Sequence, residues 1–208
     1  MRSEVLIVAR RDRRPRIECV GGLATRLTGP DTVHLVSAAA TPLGGDVLYF
    51  RVVVEPDARL RIRTAAATVA LPGAKTLDSH AIWELDIDGE LDLDPEPTIV
   101  AADSRHHTSV RLEVGAHGRV RLRERVQIGR SDEYHGFWSG SLHADVNGTA
   151  LLRHRIELGR GSVTDDEIGA PMAAISELSY PDAEVDTVGE PLALAAGGCL
   201  ATWQGARL

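Results

Sequence analysis

This sequence is short of three features, and each shortage argues against a class of protein. Its 208 residues include only two cysteines, Cys19 and Cys199, and neither has CxxC spacing, so neither a disulfide framework nor a cysteine zinc site is indicated. No apolar run is long enough to cross a membrane, and the run near the amino end is too short for a signal peptide. The formal net charge of -7 argues against binding to nucleic acid or to an anionic membrane. We therefore expect one cytoplasmic domain, residues 1–208, whose partners are proteins.

The sequence motifs of common enzyme classes are also missing. There is no GxSxG nucleophile elbow, no P-loop lysine pattern and no GxGxxG that opens a helix, so the three glycine pairs are interpreted as turns. No histidine belongs to an HxxxH motif or accompanies a CxxC pair, so no local metal-binding motif is present. His106 and His107 are adjacent, but neighbouring strand residues point to opposite faces, so both could bind one ion only from a loop. The histidines are His34, His80, His106, His107, His117, His135, His143 and His154.

Alternation of apolar and polar residues with a period of two runs through most of the chain and predicts an all-β fold. Residues 47–55 follow the Gly44–Gly45 pair and carry apolar side chains on both faces, so this strand should be covered on both sides. Residues 59–64 alternate after a turn at 56–58, and we expect the two segments to form a hairpin.

Three further segments also predict hairpins. Residues 110–114 and 120–128 alternate on either side of a turn at 115–118. Asn147 and Gly148 are the preferred pair for a type I′ turn between two alternating arms. A last hairpin is expected over residues 192–203, turned at Gly197 and Gly198. The predicted fold is therefore all-β with many antiparallel hairpins.

The segment near residues 165–179 is the exception to this alternation. Ile168, Met172, Ile175 and Leu178 recur at intervals of three and four residues, and Pro171 is suited to a first helical turn. We therefore predict one or two short helices in the chain, one of them here.

The alternation places three polar side chains at the start of a strand or on an apolar strand face. Asp46 stands at the start of the strand at 47–55, Glu124 falls on an apolar strand face, and His154 does the same in the Asn147–Gly148 hairpin. A buried carboxylate needs an arginine, a water chain or an ion as a partner, so a structural salt bridge and a functional internal site are both open for Glu124. The simpler alternative for Asp46 is a polar residue that ends a loop. For His154 it is a core histidine whose hydrogen bonds are made within the protein.

Two arginine-rich strand faces also allow two interpretations. They could keep the outside of a β protein soluble and protect its edges, or they could dock an acidic protein partner. Their members are Arg59, Arg61, Arg63, Arg119, Arg121, Arg123 and Arg125.

Four short motifs occur in a fixed order and together resemble the UreD family of urease accessory proteins, also called UreH. They are Leu-Gly-Gly-Asp at 43–46, Thr-Ala-Ala-Ala-Thr at 64–68, Pro-Glu-Pro-Thr-Ile at 95–99, and Gly-Arg at 129–130. The resemblance is clearest over residues 35–160. Two stretches depart from it: residues 63–67 lack the Thr-Thr-Gln-Ala-Ala of many members, and residues 131–136 lack their Gly-Glu pair.

The resemblance implies a β-helix-like stack of sheets and a non-enzymatic scaffold for urease maturation. Such a scaffold would bind apo-urease and recruit UreF, which brings the GTPase UreG, so that nickel enters the urease active site. It would hold no tight cofactor but could conduct nickel internally, with Asp46, Glu124 and His154 as transient contacts, since weak, spaced ligands allow release. The alternatives are a metal-dependent hydrolase and a generic β-rich interaction module without a metal role.

Overall fold

A computed structural model describes residues 1–163, 165, 170–183 and 189–208 of the chain. Regular secondary structure in these residues consists entirely of β-strands. No helix in the part described is long and apolar enough to cross a membrane. The strands are β1 (Arg2–Ala9), β2 (Arg16–Val20), β3 (Leu23–Leu27), β4 (Thr32–Ser37), β5 (Val47–Val54), β6 (Arg59–Thr64), β7 (Thr68–Ala70), β8 (Asp78–Ile87), β9 (Glu90–Leu93), β10 (Thr98–Val100), β11 (Arg105–Val114), β12 (Arg119–Ile128), β13 (Phe137–Val146), β14 (Thr149–Gly159), β15 (Ala173–Tyr180), β16 (Glu190–Ala193) and β17 (Cys199–Gly205).

The strands form two sheets that enclose a common core. A seven-stranded sheet has the order β14-β13-β11-β8-β5-β1-β2. A ten-stranded sheet has the order β16-β17-β15-β12-β9-β6-β4-β3, with β10 beside β12 and β7 beside β10. Strands β1, β5, β8, β11 and β13 run parallel in the first sheet, and β4, β6, β9 and β12 run parallel in the second.

The chain crosses repeatedly from one sheet to the other. Strand β5 leads into β6, β8 into β9 and β11 into β12, and each time the second strand lies in the opposite sheet. Each pass thus adds one strand to each of the two sheets, and repeated passes produce the solenoid-like stacking. The expected hairpins between β5 and β6 and between β11 and β12 are therefore wrong. Alternation fixes which face of a strand is inward, but it does not fix which strand its backbone pairs with.

The two remaining hairpin predictions are confirmed. Strands β13 and β14 are antiparallel and are joined by Asn147 and Gly148, which have φ values of 49° and 74°. Positive φ at both positions is what a type I′ turn requires. Strands β16 and β17 also pair antiparallel around Gly197 and Gly198.

The helix expected near residues 165–179 is wrong for the part of that segment that the structure describes. Residues 173–180 form strand β15, which pairs with β12 on one side and β17 on the other. Ile168 lies outside the described residues. Leu178 is fully buried, whereas Ile175 is only partly buried. Pairing on two sides supplies tertiary interactions that outweigh a weak helical spacing.

The core lies between the two sheets and is built from the inward residues of the alternating strands. In β5 the inward residues Leu48, Phe50, Val52 and Val54 are buried. The outward residues of this strand, such as Tyr49, remain partly exposed. The expectation that β5 is covered on both faces is therefore wrong, and its outward face is the surface of the seven-stranded sheet.

Candidate internal site

Asp46 lies in the turn that leads into β5 and is 5% exposed. Gly45 precedes it with a φ of 93°, which lets the chain turn sharply there. One carboxylate oxygen of Asp46 accepts hydrogen bonds from the Thr41 hydroxyl and the Leu43 amide, each at 2.9 Å. The other accepts from the Met1 amino group at 2.5 Å. Asp46 thus ties together the loop before β5.

The hydrogen bonds of Asp46 decide its ionisation. Burial alone would raise the pKa of this carboxyl, but donors from Leu43, Met1 and Thr41 stabilise the charged form and lower the pKa overall. The side chain is therefore an ionised acceptor with most of its acceptor positions occupied. Its role as a transient nickel contact stays a prediction.

A cavity of about 260 Å³ lies between the sheets. It opens to solvent at a mouth formed by exposed residues that also line it, namely Ser37, Ala65, Ala66, Ala67 and Glu96. Its inner end holds His106, Thr108 and Glu124. Aliphatic and aromatic side chains form most of the remaining wall, and its other polar residues include Thr64, Thr68, Arg123 and Arg125.

Glu124 projects inward from β12, as the alternation predicted, and lines the inner end of this cavity. Its carboxyl is hydrogen-bonded to the Thr108 side chain. The Thr108 hydroxyl in turn accepts a hydrogen bond from Trp138 Nε1 at 3.1 Å. Since the indole can only donate, the threonine hydroxyl is free to donate its own hydrogen to Glu124.

The salt bridge that was one alternative for Glu124 is not found in the part of the chain that the structure describes. Burial raises the pKa of the Glu124 carboxyl to about 7, and the Thr108 hydrogen bond offsets only part of this effect. Arg51 of strand β5 pairs with Asp86 on the outer surface of the seven-stranded sheet. Glu124 is therefore a buried acid close to half-ionised at neutral pH.

His154 lies on the far side of Glu124. The two residues line a second, much smaller cavity of about 10 Å³, together with Ser176 and Trp138. This is about the minimum room for one water molecule. His154 Nε2 is buried and has no hydrogen-bond partner in the described ranges. Burial lowers the pKa of this imidazole, which favours the neutral form. Glu124 thus lines both cavities.

The adjacent histidines point to opposite faces of β11, as strand geometry requires. His106 is buried at the inner end of the main cavity, its Nδ1 lies 2.9 Å from the Ser79 hydroxyl, and burial lowers its pKa to about 3. His107 is on the outer surface, where its Nε2 lies 3.0 Å from Asp78 and its ring stacks on His80. The two imidazoles cannot share one ion.

Sequence reasoning missed Thr108 and His106 as members of the site. The predicted strand began at residue 110, whereas β11 begins at Arg105. Extending the same alternation backwards would have placed residues 106 and 108 inward with Val110. The signal was therefore present in the sequence.

The arginine-rich faces lie on the outside of the ten-stranded sheet and are paired with acids there. Glu177 of β15 is fully buried and accepts hydrogen bonds from Arg121 Nε at 2.8 Å and Arg123 Nε at 2.7 Å. The other pairs include Arg59–Glu90, Arg61–Asp31, Arg63–Asp92 and Arg125–Asp94. This arrangement supports the interpretation as a solvated, charged outer face.

The three predicted contacts are only partly brought together. Glu124 and His154 share the small cavity, whereas Asp46 does not line either cavity. Among the residues that the structure describes, no group of three or more histidine, cysteine, aspartate or glutamate side chains could hold a metal ion. The two cavities offer the Glu124 carboxylate and the imidazoles of His106 and His154, with His106 lining the main cavity and His154 the smaller one.

The fold and its interior define a class of protein, a solenoid-like β scaffold with an internal polar site. Comparison with known proteins is more specific. The chain belongs to the UreD family of urease accessory proteins, whose model matches residues 23–196.

Several relatives bear the name urease accessory protein UreD. UreD 1 of Saccharopolyspora erythraea is 40% identical over 140 residues, which cover 66% of this chain and 55% of that protein. UreD of Frankia alni is 44% identical over 121 residues, covering 57% and 41%. UreD of Streptomyces avermitilis is 35% identical over 173 residues, covering 78% and 69%. The matches to the first two relatives thus span about half of their lengths.

Proposed function

We propose that this protein is a non-enzymatic scaffold in the maturation of urease. It binds apo-urease and recruits UreF, and through UreF the GTPase UreG, so that nickel is delivered to the urease active site. Membership of the UreD family supports the general role. The proposal also takes the protein to act in the cytoplasm and to hold no tight cofactor, with nickel as its cargo.

The proposal includes an internal path for nickel, and one observation carries it. Glu124 is the acid that faces both cavities, and the larger cavity opens to solvent at a mouth that includes Glu96. A hydrated Ni²⁺ could enter there, meet the Glu124 carboxylate and then the unpaired Nε2 of His154. Each contact supplies one ligand, so the ion is held weakly enough to move on.

Asp46 is the weakest of the three proposed contacts. Its oxygens already accept three hydrogen bonds, which leaves about one acceptor position for a metal ion. The same bonds give it a clear role in holding the loop before β5. We therefore place the transient contacts mainly at Glu124 and His154.

Co-expression with urease, UreF and UreG tests the role and the path separately. The tagged wild-type chain should co-purify with UreF and apo-urease, and its absence should leave urease without nickel. Failure of the chain to associate with either partner would refute the scaffold role.

The path is tested with Glu124→Gln and His154→Phe, and with Glu113→Gln as the matched control. Glu113 is exposed on the outer face of β11, away from both cavities. The two site variants should keep the complex but lower the nickel content and activity of urease, while the control should match wild type. Full activation by both site variants would support a module without a metal role. Stoichiometric nickel or zinc in the purified chain would favour a hydrolase instead.

A further inference from the structure

The main cavity combines a largely apolar wall with one acid, Glu124, at its inner end. Arg123 and Arg125 also line it, and their charges are paired with the carboxylates of Glu177 and Asp94. Such a cavity offers two kinds of contact at once, an extended apolar surface and one anionic acceptor. The wall side chains include Leu48, Phe50, Trp83, Leu93, Val110 and Leu122. A ligand that used both contacts would need an apolar body and one positive charge.

Two aromatic rings form part of this wall. Phe50 and Trp83 are stacked, with ring centroids 3.9 Å apart and an interplanar angle of 11°. They project from facing positions of the neighbouring parallel strands β5 and β8. Aromatic faces bind apolar bodies and also attract cations that approach within about 6 Å of the ring centroid. This part of the wall therefore suits a flat or short ligand that carries positive charge.

The acid lies at the end of the same wall. Thr108, which holds Glu124, pairs with Ala81 of β8, and Trp83 is the next inward residue along that strand. Within the described residues, Thr108 is the hydrogen-bond partner found for the Glu124 carboxyl. A carboxylate offers about four acceptor positions, so most of them are available to a donor inside the cavity. An amidinium or ammonium group could fill them while its body rests on the wall.

The volume of the main cavity limits the size of a ligand that fits inside it. An apolar cavity of about 150 Å³ binds benzene. The cavity here measures about 260 Å³, which leaves room for a charged group attached to one ring. We propose that this cavity binds small organic cations in which an aromatic or short aliphatic body carries one amidinium or ammonium group. This binding does not depend on the proposed role in urease maturation.

Benzamidine and benzamide are the probes for this proposal, because they have the same shape and differ in charge. Calorimetry and tryptophan fluorescence should show benzamidine binding at least about tenfold more tightly to the wild-type chain, as expected for one added charged hydrogen bond. Glu124→Gln should reduce this preference to less than about threefold, whereas Glu113→Gln should keep it. Equal affinities in wild type, or a preference that survives Glu124→Gln, would overturn the proposal.

A second measurement locates the ligand without any variant. In NMR spectra of the wild-type chain, benzamidine should shift the methyl signals of Ala81, Val110 and Leu122, which line the cavity. Shifts confined to residues outside this lining would overturn the proposal even if binding were observed. Ala81→Leu narrows the cavity and should weaken both probes, provided that circular dichroism shows an unchanged fold.

An activation assay separates this inference from the nickel path. If nickel passes through the same cavity, benzamidine should slow urease activation by the wild-type chain and have no further effect with Glu124→Gln. Binding without inhibition would leave the cavity assignment standing and refute the path. Absence of binding would refute the assignment and leave the path untouched.

Discussion

Replacing Glu124 by glutamine should change how the stability of the protein depends on pH. Glutamine has nearly the same shape but does not ionise, so it keeps the hydrogen bond with Thr108 and removes only the titration. Burial raises the pKa of Glu124 from 4.5 to about 7 in the folded chain. The unfolded chain exposes this carboxyl to water, where its pKa returns to the ordinary value.

The sign and the size of the effect follow from these two values. Between pH 4.5 and 7 the folded state holds a proton that the unfolded state has lost, so the free energy of unfolding of the wild type falls as pH rises. The full difference is roughly 3 kcal/mol, at about 1.36 kcal/mol for each pH unit. Most of it, roughly 2.5 kcal/mol, develops between pH 5 and pH 8. Glu124→Gln should escape this loss and become relatively more stable as pH rises.

Other groups near Glu124 titrate in the same range but occur in both proteins. His106 faces the same cavity, and His154 faces the smaller one. Burial lowers the pKa of both imidazoles, so each loses stability as pH falls. Taking the difference between the variant and the wild type at each pH largely cancels these contributions.

Urea unfolding at half-unit intervals from pH 5 to pH 8 measures the difference directly. Thermal unfolding should show the variant gaining roughly 5–10 °C on the wild type over this range, given about 2–4 °C for each kcal/mol in a chain of this size. Glu113→Gln, an exposed change of the same kind, should run parallel to the wild type. A constant offset between Glu124→Gln and the wild type at every pH would refute the buried, unpaired state of this carboxyl.

Three further predictions concern the other buried polar groups. Glu177→Gln should cost about 3 kcal/mol in urea unfolding, because it removes the fully buried anion that Arg121 and Arg123 share, although both arginines keep their contacts with Asp94. A cost below about 1 kcal/mol would contradict this. His154→Phe should be neutral or stabilising by about 1 kcal/mol in thermal unfolding, since it removes a buried nitrogen without a described partner, and a clear loss would point to a partner beyond the described residues. Asp46→Asn should cost about 1–3 kcal/mol at pH 7 and progressively less as pH falls through the lowered pKa of Asp46, because that stabilisation belongs to the ionised form; a cost that does not change with acid would contradict it.

Period-two alternation predicted the strands and their inward residues well. Glu124 and His154 were placed inward by this pattern alone, and both line an internal cavity. The Asn147–Gly148 hairpin was equally readable, because two adjacent residues with positive φ specify one turn type. These features depend on local sequence, so the sequence is sufficient for them.

Alternation could not predict which distant strands pair with one another. The turns after β5 and β11 resemble hairpin turns in composition, yet they carry the chain from one sheet to the other. A hairpin and such a crossing bury the same inward residues, so alternation cannot distinguish them. Strand β15 was mistaken for a helix because Met172, Ile175 and Leu178 have helical spacing. Its strand character depends on neighbours 50 residues away in β12.

The same long-range pairing explains why the chemistry of Glu124 could not be judged from sequence. For the inward carboxylate of Glu124 a salt bridge was one open alternative, but the arginines at 121, 123 and 125 bind acids of their own. Adjacent strand positions face opposite sides, so nearness in sequence here ensures separation in space. Glu124 is left with a hydroxyl and a cavity, and burial keeps part of its population protonated at neutral pH. A cation that enters must therefore compete with a proton, which weakens binding and favours release, as the proposed nickel path requires.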